Sequence, residues 1–364
     1  MRILVINCGS SSVKYKLYNF RPFKLLTKGL VERIGEEGSP VKDHYQAIFT
    51  VFKRIKSLGR EFEEISAIGH RVVHGGEKFK QPVLIDKEVI KEIRKNVELA
   101  PLHNPANLEG ILACKKFFPS LKQVAVFDTA FHQTIPQFAY LYAVPFNFYK
   151  KYKIRKYGFH GTSHQYVAEA SSKIMKKSLK KLKLITVHLG NGCSISAIKY
   201  GKCIDTSMGF TPLEGLIMGT RSGDIDAAII FYLAKQAGLT LEEIEKILNR
   251  QSGLLGISGV SNDLRLIKEA CKKGNLRAKL AIEMFIYRLR KYLGAYILIL
   301  GGVDAIIFTA GIGENNPDII KRAVWGLEFL RKKPAILVVP TDEELMIAKL
   351  VYDKIKRRKG GRKL

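Results

Sequence analysis

An apolar strand, a tight turn of small residues and a second alternating strand occur twice in this chain, and that repeat constrains the fold more than any other feature. Residues 2–6 (RILVI) and 13–18 (VKYKLY) bracket the turn NCGSSS. Far downstream, LITVHL (184–189) and SISAI (194–198) bracket GNGC, after which GKCIDTS supplies a further turn and short strand. Each pair reads as a β-hairpin, and two hairpins of the same build suggest two related domains, each presenting a small-residue loop to a shared cleft. A third strand and loop follow as AIIFTA and GIGEN, residues 305–315. Helical spacing marks Lys87–Glu98, Ala278–Leu300 and Leu241–Leu248. The last of these opens with Thr240 as N-cap and Glu243 three residues on. Asp342–Ile355 reads as a final helix that enters a basic tail. The class is α/β.

Composition narrows the function. The 364 residues suffice for two domains with cores of their own, and 46% hydrophobic with 26% charged residues excludes collagen-like, low-complexity and disordered classes. The longest apolar stretch, Tyr292–Val303, is far shorter than the roughly 20 residues that span a bilayer. The start MRILVIN reaches Asn7 and Gly9 before it builds a signal-peptide apolar region, so it is expected to be mature structure. Cys8, Cys114, Cys193, Cys203 and Cys271 are odd in number and contain no CxxC pair, which signals neither a disulfide framework nor a zinc cluster and suits a reducing cytoplasm. The net charge of +28 favours anionic partners. No RNA-recognition, helix-turn-helix or finger signature accompanies it, so nucleic acid is not expected despite the charge.

Gly- and Ser-rich turns after strands suit phosphates, because glycine lets the backbone approach closely while N–H and hydroxyl groups donate to the oxygens. Three such loops imply a polyphosphate ligand. The GxxxxGK[ST] pattern is absent, and GIGEN followed by Asn316 lacks the third glycine of GxGxxG. Seven of eight histidines fall between His70 and His188. His160 and His164 are separated by Gly161, Thr162 and Ser163, a poor helix interior, and the Glu of HExxH is missing, which argues against zinc chemistry. Small neighbours around His, Arg and Asp in GHRVVHGG, APLHNP, FDTAFHQ, GFHGTSH and GTRSGD leave room for a ligand.

NCGSSSVK, GHRVVHGGE, LAPLHNPAN, VFDTAFHQ, YGFHGTSH, HLGNG, DTSMGFTPLEGLIMGTRSGD, GLLGISGVSNDLR, FTAGIGEN and PTDEELMIA resemble the acetate kinases, in order and over most of the chain. The resemblance implies two duplicated actin-like (ribonuclease H-like) domains around an ATP cleft, residues 1–128 with 350–364 and residues 129–349. It implies reversible phosphoryl transfer from ATP to acetate, a homodimer, and Mg2+, with Mn2+ able to replace it.

Carried over residue by residue, the catalytic set is Arg71 on the acetate side, Asp128 orienting the attack, His160 donating to the phosphoryl oxygens and Arg221 stabilising the transferring group. Opposing a carboxylate to a γ-phosphoryl group costs about 4 kcal/mol at about 4 Å for one unit-charge pair at an effective dielectric near 20, which cations must offset. Val73, Leu102, Phe159 and Pro212 match the apolar pocket for the acetate methyl group. Ser10, Ser12 and Lys14 would contact phosphate. His188, Leu189, Gly190, Asn191 and Gly192, Asp263, Leu264 and Arg265, and Gly311, Ile312, Gly313, Glu314 and Asn315 would enclose the nucleotide. Asn7 and Glu343 match the metal positions, and Glu344 stands next to them, leaving open which of the two carboxylates ligates.

The stretches around Glu36–Asp43 and after GLEFL look shorter than in the family, a change that loop-closure entropy makes cheap. Two other readings stand beside this one. The first is a short-chain acyl kinase preferring propionate; the second, of another class, is a basic nucleic-acid-binding protein on an actin-like fold.

Overall fold

The computed structural model describes residues 1–57, 59, 65–101 and 103–360. The chain divides into two compact units, Met1–Gln133 with Asp342–Leu364, and Thr134–Thr341.

Unit 1 holds a six-stranded sheet in the order β3-β2-β1-β4-β6-β5. The strands are β1 (Arg2–Cys8), β2 (Val13–Phe20), β3 (Phe23–Val31), β4 (Ile65–Val72), β5 (Val83–Leu84) and β6 (Lys122–Phe127). β1 and β2 form the expected hairpin, with Cys8 opposite Val13, while β1, β4 and β6 run parallel. Parallel strands need cover on both faces, and alternate side chains go to opposite sides. On one side Leu4, Ile6 and Ile68 pack with Ile48, Val51 and Cys114 from helices His44–Lys56 and Asn104–Phe117. On the other, Ile3, Val5, Ala67 and Val124 meet Ile347, Val351 and Ile355 of the helix Glu343–Gly360. Gly69 in β4 permits that approach, since a Cβ there would stand 2.7 Å from Val351 Cγ2.

Unit 2 holds a five-stranded sheet in the order β11-β10-β7-β8-β9. Its strands are β7 (Lys183–Leu189), β8 (Cys193–Lys199), β9 (Lys202–Thr206), β10 (Ala305–Thr309) and β11 (Ala335–Val338). β7 to β9 are antiparallel, and β7, β10 and β11 are parallel. The order β9-β8-β7-β10-β11 therefore repeats β3-β2-β1-β4-β6, direction for direction, so the duplication expected from the two turns extends to five strands of each sheet, with β5 an addition in unit 1.

The Thr240 capping box is formed, with Glu243 N–H donating to Thr240 Oγ1 at 3.2 Å and Thr240 N–H to the Glu243 carboxylate at 2.8 Å. The helix behind it runs Leu241–Lys246 and passes into a wider π-type turn, Ile247–Gln251. The helix expected over Lys87–Glu98 ends at Lys95 with Asn96 as cap, and the long helix starts at Leu276, two residues before Ala278, because Asn275 caps it.

Two expectations are corrected. GIGEN is not a loop but belongs to a short helix, Ala310–Asn315, stabilised where Glu314 accepts from the Ala310 N–H at 2.8 Å. Gly161, Thr162 and Ser163 open the helix Gly161–Ile174, with His160 as N-cap at φ +56°. A first turn tolerates small polar residues that an interior turn would not. Among the described residues, no helix is long and apolar enough to cross a membrane.

Candidate active site

In unit 1 the C-terminal ends of two parallel strands supply the first group. Arg71 stands on β4 in register with Val126 of β6, and Asp128 follows β6, its N–H donating to Val72 O at 2.9 Å. That pairing brings the guanidinium to the carboxylate, with Nε donating to Asp128 Oδ2 at 3.0 Å and Nη2 donating to the same oxygen. Glu343 Oε2 lies 3.8 Å from Arg71 Nε. Burial works against the charge on Arg71, but Asp128 and Glu343 more than offset it, so its pKa lies above the ordinary guanidinium value. Burial raises the Glu343 carboxyl above the usual carboxylate range; Arg71 opposes this, and Asp128 and Glu344 add to it.

A second group closes the end of β1. Asn7 Nδ2 donates to Glu344 Oε1 at 3.4 Å. Glu344, buried, pairs with Lys14 at 3.1 Å and with Lys16 at 3.3 Å. The amide expected to share a metal with Glu343 thus contacts Glu344 instead. Ser10 and Ser12 lie in the following turn, closed by Gly9 N–H donating to Ser12 O at 2.8 Å. Asn107, unremarked in the sequence, joins two of the loops: its Oδ1 accepts from Val73 N–H at 3.0 Å and its Nδ2 donates to Cys8 O at 2.7 Å. Val73 is buried. Leu102 lies outside the described residues.

In unit 2 the group gathers around the turn between β7 and β8. A Cβ added to Gly192 would stand 3.3–3.4 Å from the His160 ring and 3.4 Å from Arg221 Nη1, so the glycine makes room for both. His160 stacks on His188, centroids 4.2 Å apart. Arg221 Nη1 donates to Pro212 O at 3.4 Å. Among the described residues no carboxylate pairs with Arg221, and burial lowers its pKa. Phe159 is buried and Pro212 half-buried.

Around the same turn, Gly190 N–H donates to Gly192 O at 3.1 Å, and Asn191 accepts from Gly219 N–H at 3.0 Å and from Asn262 Nδ2 at 3.1 Å. Leu189 closes β7, opposite Cys193. Asp263 caps the helix Leu264–Lys272 and pairs with Arg265 at 2.6 Å, both on the surface, while Leu264 is buried. Gly311, Ile312, Gly313, Glu314 and Asn315 form the short helix after β10. Ser194 and Thr186, which the motifs did not single out, hydrogen-bond to the ring nitrogens of His160 and His164. Their signal in the sequence was a polar side chain inside an otherwise apolar strand.

Unit 1 thus holds a part-buried arginine–carboxylate pair at parallel strand ends, and unit 2 holds a histidine and an arginine beside a glycine turn. Residues 2–333 match the acetokinase family. The chain belongs to that family. It is 51% identical over 391 aligned positions to an acetate kinase from Caldicellulosiruptor saccharolyticus, covering 96% of this chain and 98% of that one. The alignment is longer than the 364 residues here, so the relative carries segments that this acetokinase lacks. Among solved structures, an acetate kinase from Porphyromonas gingivalis superposes with a TM-score of 0.91 at 43% identity, covering 97% and 99% of the two chains. A propionate kinase from Francisella tularensis superposes at 0.88 with 45% identity, covering 96% and 98%. The actin-like α/β architecture of the acetokinases is therefore that of this chain.

Proposed function

We propose that this acetokinase transfers the γ-phosphoryl group of ATP reversibly to acetate, giving acetyl phosphate and ADP by direct in-line transfer. The observation that carries the reading is the full-length likeness to acetate kinases, with 51% identity over 96% of the chain. The geometry supports it. Arg71, held by Asp128, offers a guanidinium fork to the acetate carboxylate, and Asp128 orients that fork rather than removing a proton, since acetate at neutral pH has none to lose. Arg221, which has no carboxylate partner among the described residues, is suited to the charge that spreads over the phosphoryl oxygens, and His160 donates to the same oxygens.

The residues present fit a magnesium ion. Glu343, Asn7 and Glu344 are hard oxygen donors; burial, and after it the neighbouring carboxylates of Asp128 and Glu344, push Glu343 towards its protonated form, and a divalent cation would relieve the repulsion among these carboxylates. Among the described residues no three His, Cys, Asp or Glu form a closed metal cage, which suits an ion that completes its shell with water and substrate phosphate. Bound there, Mg2+ or Mn2+ would neutralise phosphate charge.

Phe159, Pro212 and Val73 would receive the methyl group, and Ser10, Ser12 and Lys14 the phosphates. The turns 188–192, 263–265 and 311–315 would hold the nucleotide. A cytoplasmic homodimer belongs to the same reading; the exposed Phe231, Tyr232 and Tyr287 of unit 2 give it apolar surface. The likeness to a propionate kinase favours a second substrate, because one methylene is worth only about 1–3 kcal/mol in an apolar pocket. ADP release measured with acetate, propionate and butyrate, with and without a chelator, tests both points. Acetate is expected to be fastest, with loss on chelation; faster turnover on propionate would reassign the substrate, and full activity in chelator would remove the metal.

A further inference from the structure

The core of unit 2 contains a polar path that its packing does not require. Thr186 on β7, Ser194 on β8 and His164 on the helix Gly161–Ile174 are all fully buried. Thr186 Oγ1 lies 2.7 Å from His164 Nδ1, His164 Nε2 lies 2.8 Å from Ser194 Oγ, and Ser194 Oγ lies 2.9 Å from His160 Nδ1. Each hydroxyl has one proton to give, and each neutral imidazole has one N–H and one acceptor nitrogen. Ser194 can therefore donate to only one of the two rings.

If Ser194 donated to His164 Nε2, the His164 proton would sit on Nδ1 and point at Thr186. The Thr186 hydroxyl proton would then have no acceptor among the described residues, in a place closed to water. A buried donor without an acceptor is the arrangement folded proteins avoid. In the opposite direction every proton is used: Thr186 donates to His164 Nδ1, His164 Nε2–H to Ser194 Oγ, and Ser194 to His160 Nδ1. We infer that Thr186, His164 and Ser194 form a one-way hydrogen-bond chain that holds His160 in its Nε2–H tautomer. His160 is thereby an uncharged donor at Nε2, on the side of the Gly192 turn where Arg221 Nη1 also lies. The three are positioning residues. Their effect on catalysis rests on the proposed role of His160, but the tautomer does not.

The test uses the full chain labelled with 15N-histidine, in mildly alkaline solution where the rings are neutral. Two-bond proton–nitrogen spectra, with His160 assigned by the signal lost in His160→Gln, are expected to show His160 protonated on Nε2. Protonation on Nδ1 would overturn the chain. Thr186→Val keeps the side-chain shape and removes the donor. It is expected to mix the two His160 tautomers and to lower kcat on the order of tenfold with the KM for ATP and acetate unchanged, while Thr186→Ser restores both. A Val variant that keeps the wild-type spectrum and kcat also overturns it. If that variant does not fold, the wild-type spectrum still decides. Full activity in His160→Gln would remove His160 from phosphoryl transfer without touching the tautomer result, so the two failures are distinguishable.

Discussion

Arg71 and Arg221 are both half-buried, yet they are held in opposite ways. Asp128 and Glu343 surround Arg71 with negative charge, which fixes its fork before any ligand arrives. Arg221 has no such partner among the described residues and is better stabilised when an anion is present. Arg221→Ala should therefore lower kcat by on the order of 10²- to 10³-fold while ATP affinity changes far less; steady-state kinetics alongside ATP titration reads both. A variant with near-normal turnover would take Arg221 out of the mechanism.

His70 behaves differently again. Buried and bonded to the Gln123 side chain at 2.8 Å, it has its pKa pushed down to about 4 by burial. The unfolded chain takes up this proton near pH 6.5, so the stability it confers is complete above that pH and is lost as pH falls towards about 4, up to about 3 kcal/mol. His70→Asn should flatten the fall of the thermal midpoint between about pH 7 and about pH 5. An unchanged slope would mean that other groups dominate acid unfolding.

At the scale of elements, the turns were legible because Gly, Ser and Asn in NCGSSS and GNGC interrupt apolar runs. β4 and β6 were not. As central parallel strands buried on both faces they show no alternation, and short apolar runs such as QVAVF fit a buried helix as well as a strand. The helix at 310–315 was hidden by its glycines; what sustains it is the Glu314 carboxylate, a contact no local propensity reports. Arg71, Asp128, His160 and Arg221 were singled out from motifs as candidates, whereas the path through Thr186, His164 and Ser194 depends on three elements meeting. The Gly69 contact gives one test here. Gly69→Val drives a side chain into Val351 and Ile347, and should cost about 1–3 kcal/mol by chemical denaturation. The exposed Thr240 cap gives another, with Thr240→Ala costing about 1 kcal/mol. No change in either midpoint would contradict the packing or the cap.

At the scale of the whole molecule, the duplicated sheets place several candidate residues at corresponding strand ends of the two units. In unit 1 Asn7, Arg71 and Asp128 stand at or just beyond the ends of β1, β4 and β6; in unit 2 the turn 190–192 and the short helix Ala310–Asn315 follow β7 and β10, while His160 caps the helix Gly161–Ile174. The repeat is the reason two short turns in the sequence announced so much of the architecture. The net charge of +28 is a property of this same whole, and a field of that sign draws in nucleotides and carboxylates without any dedicated nucleic-acid motif. The account rests on the carboxyl group being the acceptor. Hydroxylamine trapping of acyl phosphate from purified protein with ATP and magnesium measures that directly. Hydroxamate is predicted with acetate, at lower yield with propionate and least with butyrate. No hydroxamate with any acid, from folded protein that binds ATP, would contradict it.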